Sequence, residues 1–256
     1  MQLIVHRGTN IKCPENSICG IREIRSITKD SIIEIDIVPT KDNKLVLHHD
    51  LSLIQTCNID KLVFDFTLQE LNELQSTYEF IELEKLLVLF PNQKFLLDIR
   101  CGYHIGFFIN SRIDTNKITE DLFKKYELSI KKLNKKNIIL SCSELSMAKR
   151  FHKNLNIDVE LSENYLRDFL KQIERTSDIS IIDFNLKKVN IQNCLLTNEL
   201  VNIFHFHNIK VFSTPSLPKS IENSKKMIEI AYKYNCDGIW LSPINNDIIN
   251  KLKNLK

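Results

Sequence analysis

The chain has 256 residues, a length that suits one large α/β barrel, and it carries 35 basic against 32 acidic residues for a net charge of +3. So small an excess leaves no electrostatic footprint for nucleic acid or an anionic membrane. No apolar run reaches the roughly 20 residues of a membrane span, and Leu3-Ile4-Val5 is too short for a secretory core, so the chain reads as cytoplasmic.

In chain order, Leu3 to Arg7 reads as a short strand ending in a basic pair. Gly8 and Pro14-Glu15-Asn16 mark a loop, and Ser17 caps a helix to about Lys29 with Ile18, Ile21, Ile24 and Ile27 in one stripe. A strand over 32–38 follows, then a polar break at 41–44 and a second apolar run, Leu45 to His49. Residues 51–66 show no period. Thr67 caps a short helix with Glu70 placed for a capping box, and a helix over 81–89 stops before Pro91. Strand 94–100 leads to a loop over 101–116. Helices over 119–134, 144–154, 163–175, 197–207 and 220–234 then alternate with strands over 137–141, 157–161, 179–184, 210–214 and 238–242. A short helix over 246–255 closes the chain. The seven cysteines (13, 19, 57, 101, 142, 194 and 236) show neither Cys-x-x-Cys nor zinc-ligand spacing, and read as buried small apolar residues in a reducing compartment.

Strands alternating with helices predict a parallel α/β fold. There are nine strand-like runs, whereas a barrel needs eight. Only residues 41–44 separate Leu45–His49 from the strand before it, too few for a parallel crossover. That run must fold back as a hairpin arm, and a turn centred near residue 42 or 43 would set His49 roughly opposite Asp36. The predicted fold is a single (β/α)8 TIM barrel over residues 1–256, with a β-hairpin excursion after strand 2.

Polar residues collect at the C-terminal strand ends, where barrel sites lie. His6 and Arg7 end the first strand, Glu34 and Asp36 share one face of the second, Asp98 and Arg100 end the third, and the arm returns His49. Three carboxylates, Glu34, Asp36 and Asp98, suit a hard divalent cation with oxygen ligands, Mg²⁺ or Ca²⁺. His6 and His49 are candidates for general base and general acid, and Arg7 and Arg100 offer planar donors to phosphoryl oxygens. Together these groups describe metal-dependent phosphodiester cleavage without a redox cofactor.

The same residues resemble the glycerophosphodiester phosphodiesterase family, within the phospholipase-C-like phosphodiesterase barrels. His6-Arg7-Gly8, Pro14-Glu15-Asn16-Ser17, Glu34-Ile35-Asp36-Ile37 with Thr40-Lys41-Asp42, and Leu45-Val46-Leu47-His48-His49-Asp50 carry the resemblance. Weaker likenesses follow at Phe80 to Leu86, Leu96-Leu97-Asp98-Ile99-Arg100 and Cys236-Asp237-Gly238-Ile239. The resemblance implies His6 and His49 as the acid–base pair, Glu34, Asp36 and Asp98 as metal ligands, and Arg7 and Arg100 as phosphate contacts. Its substrate would be a small-molecule or lysolipid phosphodiester. The family usually has Glu and Lys where this chain has Asp98 and Arg100, and Trp-Thr where it has Ser213-Thr214; Trp240 either refills that wall or is an ordinary core residue.

Neighbouring strand residues face opposite ways, so of His48 and His49 only one faces the site, and His48 reads as structural. His104, His152, His205 and His207 fit loops or helix faces, and the lysines of 131–136 a solvated helix end. Two other functions are compatible with these residues. One is a catalytically weakened barrel that binds phosphorylated ligands. The other is a lysophospholipase-D-like enzyme, with Phe107, Phe108 and Ile109 lining an acyl groove.

Overall fold

The computed structural model describes residues 1–9, 12–100, 115–162, 167–180, 182, 184–215 and 219–254. Strands β1 (Gln2–Val5), β2 (Ile32–Pro39), β4 (Phe95–Ile99), β5 (Ile138–Cys142), β6 (Val159–Ser162), β7 (Lys188–Gln192), β8 (Lys210–Thr214) and β9 (Gly238–Leu241) pair in parallel and close through β1–β2 into an eight-stranded barrel. Strand β3 (Leu45–Leu47) pairs antiparallel with β2 and lies outside the ring, as the short connection requires.

Helices cover the barrel: α1 (Ile18–Ile27), the short α2 (Ile54–Cys57) and α3 (Leu68–Asn72), α4 (Leu83–Leu89), α5 (Thr115–Lys131), α6 (Leu145–Leu155), α7 (Arg167–Thr176), α8 (Asn198–Phe206), α9 (Ile221–Lys233) and α10 (Asn246–Asn254). Their starts follow local chemistry. Ser17, Thr67, Thr197 and Ser220 each accept a backbone N–H of the first turn, and Thr67 and Glu70 close a reciprocal capping box.

Period-two alternation sorts the strand residues. Outward side chains such as Ile33, Ile35, Leu97, Leu140, Val189 and Val211 join the core between barrel and helices. The lumen holds a small apolar plug of Ile4, Ile32, Leu96, Phe212 and Trp240. Above it, β2 aligns Glu34 with Leu96 and Asp36 with Asp98 of β4. Buried Tyr126 on α5 pins both strand ends, donating to the Ile37 carbonyl at 2.6 Å and accepting the Arg100 N–H at 3.2 Å.

Three expectations are corrected. The barrel strand expected over 179–184 lies instead at 188–192. Ile182 N–H bonds back to the Ile179 carbonyl at 2.8 Å, a turn, while Ile179, Ile182 and Phe184 pack on the core from outside the ladder. Lys188-Val189-Asn190-Ile191-Gln192 looks like a surface strand because its alternate residues are polar, but those residues face a polar lumen.

The ladder pairs Ile37 with Leu47, so the register places His48, not His49, opposite Asp36. His48 N–H donates to the Asp36 carbonyl at 3.2 Å. The turn is one residue tighter than expected.

The third correction concerns the cysteines. Cys13 and Cys19 form a disulfide, with Cys19 exposed. Six residues apart, with Cys13 in the loop and Cys19 in the first turn of α1, they match no motif, and only the packing of the loop against the start of α1 brings them together. Cys57, Cys194 and Cys236 are free thiols.

Candidate active site

All seven site residues expected from the sequence come together at the C-terminal mouth of β1, β2 and β4. β1 ends at Val5, and His6–Gly8 form a tight turn in which Arg7 has φ 55°. That left-handed conformation costs a non-glycine residue about 1 kcal/mol. It aims the Arg7 N–H at Glu34 Oε2, 2.6 Å away, and its carbonyl at the Asn16 N–H, 2.7 Å away. Helix α1 starts so close to this turn that a side chain on Gly20 would strike the Gly8 carbonyl.

Glu34, Asp36 and Asp98 each offer an oxygen within 4.8 Å of the others, and Glu34 and Asp36 are fully buried. Such crowding is unfavourable unless cations share the space. Burial, with Asp36 and Asp98 adjacent, pushes the Glu34 carboxyl well above its ordinary range. Burial also raises Asp98, against Arg100. Burial opposes ionisation of Asp36 too, but Arg100, His49 and Arg7 outweigh it and hold Asp36 below the usual carboxylate range.

Arg100 contacts Asp36 Oδ1 directly and lies 3.3 Å from Asp98. Arg7 pairs with Glu15 at 2.8 Å and stands 3.6 Å from Asp36. Glu34 Oε1 is buried with no hydrogen-bond partner among the described residues. An oxygen-only donor set with one orphaned carboxylate oxygen fits a hard divalent cation.

The two histidines approach from different elements. His6 follows β1, with Nε2 3.9 Å from Glu34 Oε2. Burial and the adjacent Arg7 lower its pKa from 6.5 to about 3, leaving the ring neutral at ordinary pH. His49 lies beyond the end of β3, where the chain leaves the ladder and is no longer bound by its alternation. Its Nδ1 bonds Asp50 at 2.7 Å and its Nε2 contacts Arg7. His48 is buried between Tyr78 and Phe80, with its ring nitrogens on the Asp50 carbonyl and the Thr56 hydroxyl.

Several supporting residues were not assigned from the sequence. Asn16 clamps Asp36 with both ends of its amide, Nδ2 donating to Oδ2 at 2.8 Å and Oδ1 accepting the Asp36 N–H at 3.0 Å. Asp50 orients His49, and Glu15 holds Arg7. The Pro-Glu-Asn and His-His-Asp runs were visible, but not which groups their side chains would meet.

Trp240 is a lumen residue and a site wall at once. Its ring lies 5.9 Å from that of His6, and its Nε1 donates to Asn190 at 3.0 Å. It lines a cavity of about 250 Å³ together with both histidines, Arg7, Asp98 and Arg100. A larger cleft of about 550 Å³ opens at the opposite end of the barrel, among lysines that include Lys94 and Lys136, with Asp158 its only carboxylate among the described residues. The smaller cavity is the one that the expected imidazoles and guanidiniums line. Phe107, Phe108, Ile109 and His104 lie outside the described residues.

The glycerophosphoryl diester phosphodiesterase family model matches residues 6–213. The chain belongs to that family. A glycerophosphodiester phosphodiesterase of Caldanaerobacter subterraneus subsp. tengcongensis is 38% identical over 80 residues, 31% of this chain and 32% of that protein. A putative glycerophosphodiester phosphodiesterase of Bacillus subtilis is 38% identical over 76 residues, 30% of this chain and 31% of its own length. The matched stretch thus spans about a third of these curated relatives.

The fold is shared with a putative glycerophosphoryl diester phosphodiesterase from Silicibacter pomeroyi (TM-score 0.73, 13% identity, 100% of this chain and 94% of that one). It is shared too with an Oleispira antarctica phosphodiesterase solved with its product sn-glycerol-3-phosphate (TM-score 0.69, 16% identity, 100% and 96%). Among the described residues, no helix is long and apolar enough to cross a membrane.

Proposed function

We propose that this protein is a metal-dependent phosphodiester hydrolase that cleaves glycerophosphodiesters to glycerol phosphate and an alcohol. One observation carries the reading: three carboxylates lie within 4.8 Å of one another, one with an orphaned oxygen, at the base of a cavity that Asp98 lines with two imidazoles and two guanidiniums. Glu34, Asp36 and Asp98 would hold Mg²⁺ or Ca²⁺, which supplies polarisation of a phosphoryl oxygen and offsets developing charge.

Arg7 and Arg100 donate to the remaining phosphoryl oxygens. His6, neutral and facing the cavity, accepts the proton of the attacking water, whose oxygen bonds phosphorus as the P–O bond to the alcohol breaks; a neighbouring glycerol hydroxyl can attack in its place, giving a cyclic phosphate that water then opens. His49, steadied by Asp50, returns a proton to the departing alkoxide. The retained group fits the product seen with the Oleispira protein. We take residues 1–256 as one domain, because β9, beyond the family match, is needed to close the ring.

Release of choline from glycerophosphocholine, followed with and without EDTA, tests the reading. Turnover that EDTA abolishes and added Mg²⁺ or Ca²⁺ restores supports it. Tight metal binding with no turnover on a panel of diesters, lysophosphatidylcholine included, points to the second reading, a barrel that binds phosphorylated ligands. The pairing of Arg100 with two of the three carboxylates favours that alternative.

A further inference from the structure

Arg100 stands where its family usually has lysine, and its placement differs from that of a group waiting for substrate. Its guanidinium bridges two strands, with one nitrogen on Asp36 Oδ1 and another 3.3 Å from Asp98 Oδ2. A planar fork can span two carboxylates in this way, whereas an ammonium presents a single point of charge. The side chain is nearly buried, and its Nε has no partner among the described residues.

Asp36 has little freedom to offer another atom. Asn16 holds Oδ2 and the backbone N–H of Asp36, so the plane of the carboxylate is fixed and Oδ1 is the oxygen left to exchange. The Arg100 backbone is fixed as well, since its N–H and carbonyl both meet the Tyr126 hydroxyl. Movement is left to the Arg100 side chain, which also lines the cavity shared with Arg7, His6 and His49.

A dication and a guanidinium cannot share the same two carboxylate oxygens at close range, because their mutual repulsion in a buried site is large. We propose that Arg100 is a displaceable counter-ion that neutralises Asp36 and Asp98 until a divalent cation takes them, and then turns its freed fork to phosphate. Cation and phosphate are thereby coupled through this residue, beyond any direct contact between them. The coupling is reciprocal by linkage: each ligand tightens the binding of the other by the same factor. The inference rests on the metal-site reading above and adds a coupling of cation and phosphate through one side chain.

Trp240 is the only tryptophan and forms a wall of the cavity, so its fluorescence reports binding without turnover. Mg²⁺ is titrated into the wild type, Arg100→Gln and Arg100→Lys, each with and without inorganic phosphate, and calorimetry checks the affinities. Without phosphate, Arg100→Gln should bind Mg²⁺ about fivefold or more tightly than the wild type, with Arg100→Lys in between. Phosphate should tighten Mg²⁺ binding in the wild type by a similar factor, and much less in Arg100→Gln. A merely structural arginine would lower stability without tightening the metal.

If both variants bind Mg²⁺ no more tightly than the wild type, or phosphate enhancement persists at full size in Arg100→Gln, the proposal is overturned while the metal site stands. If the wild type binds neither Mg²⁺ nor Ca²⁺, both readings fall. Should Arg100→Gln not fold, Arg100→Lys, which keeps the charge and loses the fork, decides the matter.

Discussion

Two buried polar clusters occupy the barrel lumen, and they are built on opposite principles. On β6, β7 and β9, Glu160 pairs with Lys188 at 2.7 Å and with Asn190 at 3.3 Å, and Trp240 donates to Asn190 at 3.0 Å. One anion meets one cation, and the amide completes the set. On β2 and β4, three carboxylates crowd together, one oxygen of Glu34 is left over, and two arginines are spread among several acids. The first cluster is closed and stabilises the lumen. The second remains electrically incomplete, which is what a site for a cation and an anionic substrate requires.

The largest separation between the clusters should appear in activity. His49→Ala is expected to lower diester turnover by about 10² to 10⁴-fold while the melting temperature holds, since it removes one proton-transfer group from a partly exposed position. Steady-state kinetics beside a thermal melt check this, and a matching fall in stability would count against a catalytic role.

Breaking the closed cluster should do the reverse. Lys188→Met leaves Glu160 buried without its cation and is expected to cost about 3–5 kcal/mol in urea unfolding, with Mg²⁺ affinity unchanged. The double change Glu160→Met with Lys188→Met should recover much of that loss. No recovery would mean that the pair is not the unit of stabilisation.

The open cluster alone is strapped by a covalent loop. Cys13–Cys19 encloses Glu15 and Asn16, which hold Arg7 and Asp36. Closing so short a loop contributes about 2 kcal/mol in the chain-entropy model. Cys19→Ser should lower stability by roughly that amount and weaken Mg²⁺ binding, both measurable against untreated wild type. Unaltered metal affinity would separate the strap from the site.

The smallest effect concerns pH. Burial raises the Glu160 carboxyl above its ordinary range, against Lys188. The folded chain therefore holds this proton at pH values where the unfolded chain has already lost it. The resulting stabilisation is fully present below the ordinary carboxyl pKa and is lost as pH rises through the raised one. Glu160→Gln should flatten that part of the stability–pH profile, and an unchanged slope would assign it to another group.

Legibility along the chain followed the range of the interactions involved. Capping by Ser17, Thr67 and Thr197, and the return of β3 beside β2, depend on residues a few positions apart and could be read directly. The strand at 188–192 could not, because Lys188 and Asn190 look solvated until Glu160 and Trp240 appear across the lumen. His49 lines the cavity at the mouth, but the register expected to bring it there was off by one residue, since the ring arrives after the ladder has ended.

The sequence by itself determined the alternation that makes a (β/α)8 barrel, the arm after β2, and the set of acids, imidazoles and guanidiniums at the ends of β1, β2 and β4. Periodicity and short spacings encode these. Only the tertiary structure decided that Cys13 bonds Cys19, that Asn16 clamps Asp36, and that Arg100 lies across Asp36 and Asp98. Such contacts depend on how closure of the ring and the path of one loop bring separate segments to the same few ångströms, and no local pattern records that distance.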